Sequence, residues 1–204
     1  GKGGLVWLKA RNFSATHNLY DTVRGASNRL QSNAASAQDS YPGADAFNAD
    51  GFALGNGYST NASGGTFASW TFRKAAKFFD CGTYTSTTNT TKTIPHNLGS
   101  VPGVIIWKCT TDPDNWYVYH RSLGASQYIT LDTTAAAGAS DLFIQTPTAT
   151  EFYVKGTISG LGASYVWYVF AHNAGGFGAS GTDNVISCGS YVGNGSTTGP
   201  TITL

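Results

Sequence analysis

The residues best suited to ligand chemistry lie close together in one turn-rich segment, Asp112–Trp116. Sugar-binding sites place an aromatic ring beside amide and carboxylate groups, and Trp116 directly follows Asp114 and Asn115. We therefore expect Trp116, Asp114 and Asn115 to form the ligand-binding surface, if the chain has one. The ligand expected there is a carbohydrate.

The same segment offers oxygen ligands, which makes calcium an alternative occupant. Asp112, Asp114 and Asn115 supply only part of the six or more oxygens that this cation takes. Asp and Asn next to Pro are also typical of turns, where their side chains bond to the backbone. The sequence therefore predicts no metal site and no cofactor, with calcium as the alternative.

No catalytic residues are predicted. Glycoside hydrolysis needs a pair of carboxylic acids, yet the chain has a single glutamate, Glu151, and most aspartates lie in turn sequences. The four histidines are isolated in the sequence, and no nucleophile elbow, His-Glu-x-x-His or phosphate-loop pattern occurs. The sequence predicts a protein that is not an enzyme.

Composition excludes two classes of partner. The chain has 204 residues, of which only 11% are charged, and its formal net charge is +1. A nucleic-acid-binding protein normally carries a basic patch, so no nucleic-acid partner is expected. No apolar run approaches the 18 residues of a membrane span, so no membrane insertion is expected.

The chain contains an internal repeat with an offset of about one hundred residues. Five pairs of segments match in the same order along the chain. They are Leu5–Lys9 with Val104–Lys108, Gly25–Ser27 with Gly124–Ser126, Gly51–Gly55 with Glu151–Lys155, Phe67–Phe72 with Tyr165–Phe170, and Asp80–Thr85 with Ser187–Val192. The pattern indicates a tandem duplication.

Each repeat is predicted to be all-β, because short β-branched and aromatic runs alternate with Gly, Asn, Ser and Thr clusters. The predicted fold is a tandem of antiparallel β-sandwich modules. We place the first module at residues 1–78, the second at 79–177 and a tail at 178–204. The first module lacks the strand that contains Cys81 in the second.

The tail carries a copy of that strand in Ser187–Val192. Three arrangements are open: the tail folds back onto the first module, it completes a neighbouring chain, or it begins a third module. Strand donation supplies main-chain hydrogen bonds and places alternate side chains in a groove. We expect Val185, Cys188 and Tyr191 to be residues of this assembly strand.

Several motifs carry a resemblance to a known family. They are Gly3–Arg11, Leu19–Gly25, Phe47–Phe52, His96–Gly103 and Phe170–Phe177. The chain resembles a family of phage virion proteins, common in marine and cyanobacterial phages and usually described as tail-fibre or tail-associated. The resemblance implies jelly-roll modules similar to concanavalin A and laminin-G domains. The family has no agreed catalytic or ligand-binding residues to transfer.

The expected function is a structural and adhesive component of a phage particle. The resemblance implies an extracellular location in the virion, with further copies of the chain and other virion proteins as partners. One alternative is a carbohydrate-binding module that recognises host surface glycan. A second is a capsid decoration protein or another extracellular fibre.

Overall fold

The computed structural model describes residues 3–203, and it is almost entirely β-structure. Every strand pair in it is antiparallel, in sheets that face one another around apolar cores. The prediction of an all-β, sandwich-type fold is confirmed. Gly, Thr, Ser and Asn form the connections, and β-branched and aromatic residues form the strands, as their intrinsic preferences favour.

Residues 3–203 form sixteen strands and one short helix. They are β1 (Gly4–Ala10), β2 (Asn18–Asp21), β3 (Gly25–Leu30), β4 (Asp39–Ser40), β5 (Ala44–Phe47), β6 (Phe52–Leu54), α1 (Tyr58–Asn61), β7 (Phe67–Arg73), β8 (Phe79–Thr85), β9 (Thr91–Pro95), β10 (Pro102–Cys109), β11 (Tyr117–His120), β12 (Gln127–Thr130), β13 (Gly138–Ala139), β14 (Phe143–Gln145), β15 (Glu151–Lys155) and β16 (Ser164–Ala171).

The strands form two pairs of sheets. The first module has a five-stranded sheet, ordered β4-β3-β2-β1-β7, and the hairpin β5-β6. The second has a six-stranded sheet, ordered β13-β12-β11-β10-β16-β8, and the three-stranded sheet β14-β15-β9. β7 pairs within the first module and β8 within the second. The change of sheet therefore occurs between these two strands, where the sequence analysis places the module boundary.

The two large sheets share one strand order and one register. Val6 on β1 pairs with Tyr20, and Ile105 on β10 pairs with Tyr119. On the other side, Leu5 pairs with Phe72 just as Val104 pairs with Phe170. β1 therefore corresponds to β10 and β7 to β16, which is the correspondence that the sequence repeat predicts.

The two large sheets pack face to face, so the modules form adjacent layers. Alternate residues of β16 point to opposite faces: Trp167 belongs to the core of the second module, and Tyr168 to the cluster between modules. In that cluster the Phe72 and Phe170 rings lie 5.2 Å apart at 84°. Since Phe72 and Phe170 are counterparts, the modules meet through equivalent faces.

The modules differ at one edge. In the second module β8 pairs with β16, and β9 pairs with β15. Among residues 3–203, no strand pairs with the outer edge of β7 or of β6. The core of the first module is correspondingly small: among the described residues, its cluster has four buried members, Val6, Leu8, Tyr20 and Ala44.

The described part of the tail, residues 178–203, forms no strand. Its first part lies at one end of the second module, where the Asn173 amide donates to the Ile186 carbonyl at 3.0 Å. Cys188 is buried there, close to Gly103. The arrangement in which the tail folds back as a strand onto the first module is therefore not the one observed.

Candidate functional site

Trp116 does not present its ring to solvent, and the expectation that it forms a sugar platform is wrong on this point. The side chain is 0% exposed and lies in the cluster between the modules. Its indole N–H donates to the carbonyls of Gln31 at 2.9 Å and Ala34 at 3.2 Å. The ring stacks on Tyr168 at 6.5 Å between centroids. Trp116 therefore ties the first module to the second.

Asp114 and Asn115 are used to shape the loop that holds Trp116 in place. The Asp114 carboxylate accepts hydrogen bonds from the Asn115 amide at 2.7 Å and the Tyr117 hydroxyl at 2.9 Å. The Asp114 amide donates to the Ala35 carbonyl of the first module at 2.8 Å. These contacts give the predicted ligand residues an intramolecular role, as the turn-forming alternative for Asx residues predicts.

The candidate calcium oxygens do not converge. The Asp112 carboxylate accepts from the Thr111 hydroxyl at 3.1 Å, whereas Asp114 points to Asn115 and Tyr117. Within residues 3–203, no group of three or more His, Cys, Asp or Glu side chains is arranged to hold a metal ion.

A cleft of about 370 Å³ lies close to Trp116, between the two modules. It brings together one indole, one imidazole, one amide, one carboxylate and three hydroxyl groups. Its lining residues are Trp7, His17, Ser32, Asn33, Leu131, Asp132, Thr133 and Thr134.

Two hydrogen bonds fix the polar groups at this cleft. The Trp7 indole N–H donates to Nδ1 of His17 at 2.8 Å, so this nitrogen carries no proton. Burial lowers the pKa of His17, and the charge of Lys9 lowers it further, which keeps the ring neutral at pH 7. Asp132 accepts the Trp116 amide at 3.0 Å through one oxygen. The cleft can therefore offer a ring edge, hydroxyls and a carboxylate to a polyol.

The residues of this cleft come from segments far apart in the sequence, and no local motif marks them. The recurrence of its strand in the second repeat favours a core position for Trp7. It is only partly buried, and its ring meets Trp70 edge-on at 6.0 Å. The prediction overlooked that β1 lies next to an edge strand, where fewer neighbours cover its side chains.

A second cavity, of about 350 Å³, lies at the end of the first module. It is enclosed by the start of β1, the end of β7 and the turn that joins β5 to β6. Its lining residues are Gly3, Gly4, Leu5, Val6, Thr22, Phe47, Asn48, Ala49, Asp50, Gly51, Thr71, Phe72 and Arg73.

The corresponding place in the second module is filled by its own chain. There the His96 amide donates to the Thr150 carbonyl at 2.8 Å, in the turn before β15. Leu98 is fully buried in the core, and the His96 ring stacks on Phe152 at 6.2 Å. The cavity of the first module is thus the space that the His96–Leu98 segment occupies in the second.

A buried ion pair of the first module contacts the second module through Tyr168. The Asp21 carboxylate accepts from Arg24 Nε and from the Tyr168 hydroxyl, both at 2.6 Å. The guanidinium also donates to the Asn28 carbonyl at 2.9 Å. Burial raises the pKa of Tyr168 well above its ordinary value, so its hydroxyl keeps the proton that it donates.

The three predicted assembly residues have different environments. Cys188 is buried, and its amide donates to His172 Nδ1 at 2.9 Å. Val185 and Tyr191 are exposed, by 52% and 69%. Val192, next to Tyr191, is 88% exposed. The tail therefore holds apolar side chains that the described chain does not cover.

The chain belongs to a family defined by the DUF7483 domain of unknown function, whose model matches residues 2–203. The match spans both modules and nearly all of the tail, so the tail is part of the family domain. No curated protein and no solved structure matches the chain. Among the described residues, no helix has the length and apolarity needed to cross a membrane.

Proposed function

We propose that the chain is a non-enzymatic structural and adhesive component of a phage particle, in a tail fibre or a related appendage. Its work is assembly through β-sandwich modules. The observation that carries the proposal is the unequal completion of two equivalent modules. β16 is covered by β8, while no strand among residues 3–203 covers β7, its counterpart. The tail carries a copy of the β8 sequence that forms no strand and exposes Tyr191 and Val192.

A free edge and an exposed apolar segment are liabilities for a protein that works alone. Unpaired backbone groups invite strand pairing, and natural monomers normally block or cover such edges. In a particle, the same features form the interfaces that connect one subunit to the next. The low charge and the Thr-, Ser- and Asn-rich surface suit a subunit that meets other copies without strong repulsion.

The phage setting is supported by the motifs near Leu5, Leu19 and His96 that resemble phage virion proteins. It is tested by mass spectrometry of purified particles from a culture that carries the gene, with immunogold labelling to locate the protein. We expect stoichiometric peptides of this chain, with label on the tail or its fibres. Peptides in the lysate but not in the particles would overturn the proposal.

The same labelling separates the proposal from its closest alternative. A capsid decoration protein would place gold on the head of the particle. Another extracellular fibre would place it on a structure outside the particle. Either result would show that the protein assembles into a different structure, and it would contradict a role in the tail.

The second candidate function is recognition of a host surface glycan, which the cleft between the modules favours. Indole, hydroxyl and carboxylate groups converge there in a space of about 370 Å³. We expect saturable binding of host polysaccharide that Asp132→Asn weakens while the fold stays intact. Asp45→Asn, on the exposed side of β5, is the matched control. Equal binding by both variants would exclude this cleft.

A further inference from the structure

We propose that the free edge of β7 accepts an added β-strand, residues Ile186–Val192, from a second copy of this chain. The inference rests on the assembly role proposed above and names its interface. The donor and acceptor segments both lie in the described chain. The strand is expected to run antiparallel to β7, in the register that β8 adopts on β16.

The acceptor is an edge strand whose counterpart is a central strand. β16 lies between β10 and β8, and its side chains from Tyr165 to Ala171 are buried. Among residues 3–203, β7 pairs with β1 alone, and none of its own residues is buried. Trp70, the counterpart of Tyr168, is 47% exposed. One further strand would give β7 the cover that β16 already has.

The pairing of β8 with β16 shows how such a strand binds. β8 is the first strand of the second module and covers the outer edge of β16. Cys81 pairs with Tyr168, and Tyr84 pairs with Tyr165. The counterpart of β7 thus shows the strand pairing that the tail sequence is expected to repeat.

The tail repeats the β8 sequence after the second module. Ser187–Val192 matches Asp80–Thr85, with Cys, Gly and Tyr at the same three positions. In β8 these residues are paired, whereas in the tail they form no strand. Tyr191 and Val192 leave apolar surface exposed, and burying it favours association by about 25 cal/mol per Å² of apolar area.

The repeat gives the register of the proposed pair. Since Phe72 corresponds to Phe170 and Ile186 to Phe79, Ile186 is expected opposite Phe72. Ser190 then lies opposite Ala68, and Tyr191 opposite Phe67. The equivalent cross-strand pair in the second module, Tyr84 with Tyr165, stacks at 5.0 Å and 15°. An aromatic pair of this kind adds specificity to the main-chain hydrogen bonds.

The first module also has room for added chain at this edge. The cavity of about 350 Å³ is bordered by Thr71, Phe72 and Arg73 at the end of β7. The matching space in the second module is filled by the His96–Leu98 segment, which continues from β8 and β9. The cavity therefore borders the end of β7 at which Ile186 is expected.

The occupant is a second copy because one chain leaves the edge of β7 unpaired within residues 3–203 and holds its tail elsewhere. Residues 172–185 connect β16 to the tail, and Ile186 and Cys188 of each chain pack at the end of its own second module. On donation these residues exchange those contacts for equivalent ones on β7 of the other copy.

Disulfide trapping between two full-length variants tests the register directly. Ala68→Cys is placed on one chain and Ser190→Cys on another, both with Cys188→Ser so that the native tail thiol cannot react. Paired residues of an antiparallel ladder lie about 4.5–5.5 Å apart at Cα, which a disulfide spans. We expect at least about tenfold more heterodimer than with Asn194→Cys as the control partner, because that residue lies beyond the paired segment.

Equal yields from Ser190→Cys and Asn194→Cys, or no disulfide with either, would overturn the interface. So would a chain carrying both Ala68→Cys and Ser190→Cys that closes within the monomer at every dilution. These outcomes are distinguishable from failure of the proposed function. The protein can be present in the particle without this interface, and the interface can form in solution without the protein being in a particle.

Discussion

The Tyr168 hydroxyl donates a hydrogen bond to the Asp21 carboxylate at 2.6 Å, across the interface between the two modules. Asp21 also neutralises the buried guanidinium of Arg24. A buried ion pair costs desolvation energy, which good geometry and further hydrogen bonds offset. Here one of those hydrogen bonds comes from the other module, so the Asp21 carboxylate has all these partners when the modules pack face to face.

Asp21→Asn should destabilise the protein strongly, because it leaves Arg24 buried without its counter-charge. We expect a loss of about 3–5 kcal/mol in the free energy of unfolding, measured with guanidinium chloride. The pair of Arg29 with Asp39 is the control, because the Asp39 side chain is 51% exposed, and Asp39→Asn should cost less than about 1 kcal/mol. Similar losses in the two variants would contradict the interface role of Asp21.

Gly82→Ala and Gly189→Ala should differ sharply, although the two glycines are counterparts in the repeat. A Cβ at Gly82 would overlap the Trp167 indole, whereas one at Gly189 meets nothing within 4 Å. We expect Gly82→Ala to cost about 1–3 kcal/mol by overpacking and Gly189→Ala to change stability little. Thermal unfolding of both variants is the check. A neutral Gly82→Ala would contradict the β8 packing.

Stability should fall as the pH drops below about 6.5, because burial lowers the pKa of all four histidines. A base with a lowered folded-state pKa binds more protons when unfolded, so its contribution is complete above the unfolded pKa and is lost on acidification. His96, which is buried against Phe152, should contribute clearly.

Guanidinium titrations at pH 7, 6 and 5 test the effect of the histidines. In the His96→Gln variant, the free energy of unfolding should fall less between pH 7 and pH 5 than in the unmodified chain, whatever the stability of the variant at pH 7. An unfolding free energy that rises on acidification, or an unchanged slope in His96→Gln, would contradict neutral buried histidines.

All three cysteines should resist thiol reagents in the native state, since each is a buried free thiol. Burial, followed by the charge of Asp21, raises the pKa of Cys81 to about 12, which suppresses the reactive thiolate. Labelling at pH 8 should be slow for the folded chain and should reach all three thiols in denaturant. Cys188 should react first, because it lies in the tail. Rapid native labelling of Cys81 would contradict its position between the modules.

The sequence predicted the parts of the fold that depend on local pattern. Leu5–Lys9 and Val104–Lys108 recur with one spacing, and the structure gives their strands the same neighbours and register. Trp116 shows where this reasoning fails. Its neighbours Asp114 and Asn115 predict an exposed loop, but the packing of one module on the other buries the ring. That packing joins residues far apart in the chain, which local pattern cannot reveal.

The tail shows a second kind of limit. Ser187–Val192 has the composition of β8, yet in the described chain it forms no strand. A strand needs a partner edge for its backbone groups, so the same residues pair in one place and remain unpaired in another. Sequence similarity identifies the strand that residues can form, and the structure shows which edge is still free to receive it.

The most direct test of the account is the solution mass of residues 1–204 by light scattering, beside the Tyr191→Asp variant of the same chain. Tyr191 is exposed in the single chain, so this variant should fold normally, as circular dichroism will show. We predict that the unmodified chain associates increasingly with concentration, that Tyr191→Asp stays monomeric, and that the control Asn194→Asp still associates. A folded monomer at every concentration, or equal association of all three, would contradict assembly through the donated strand.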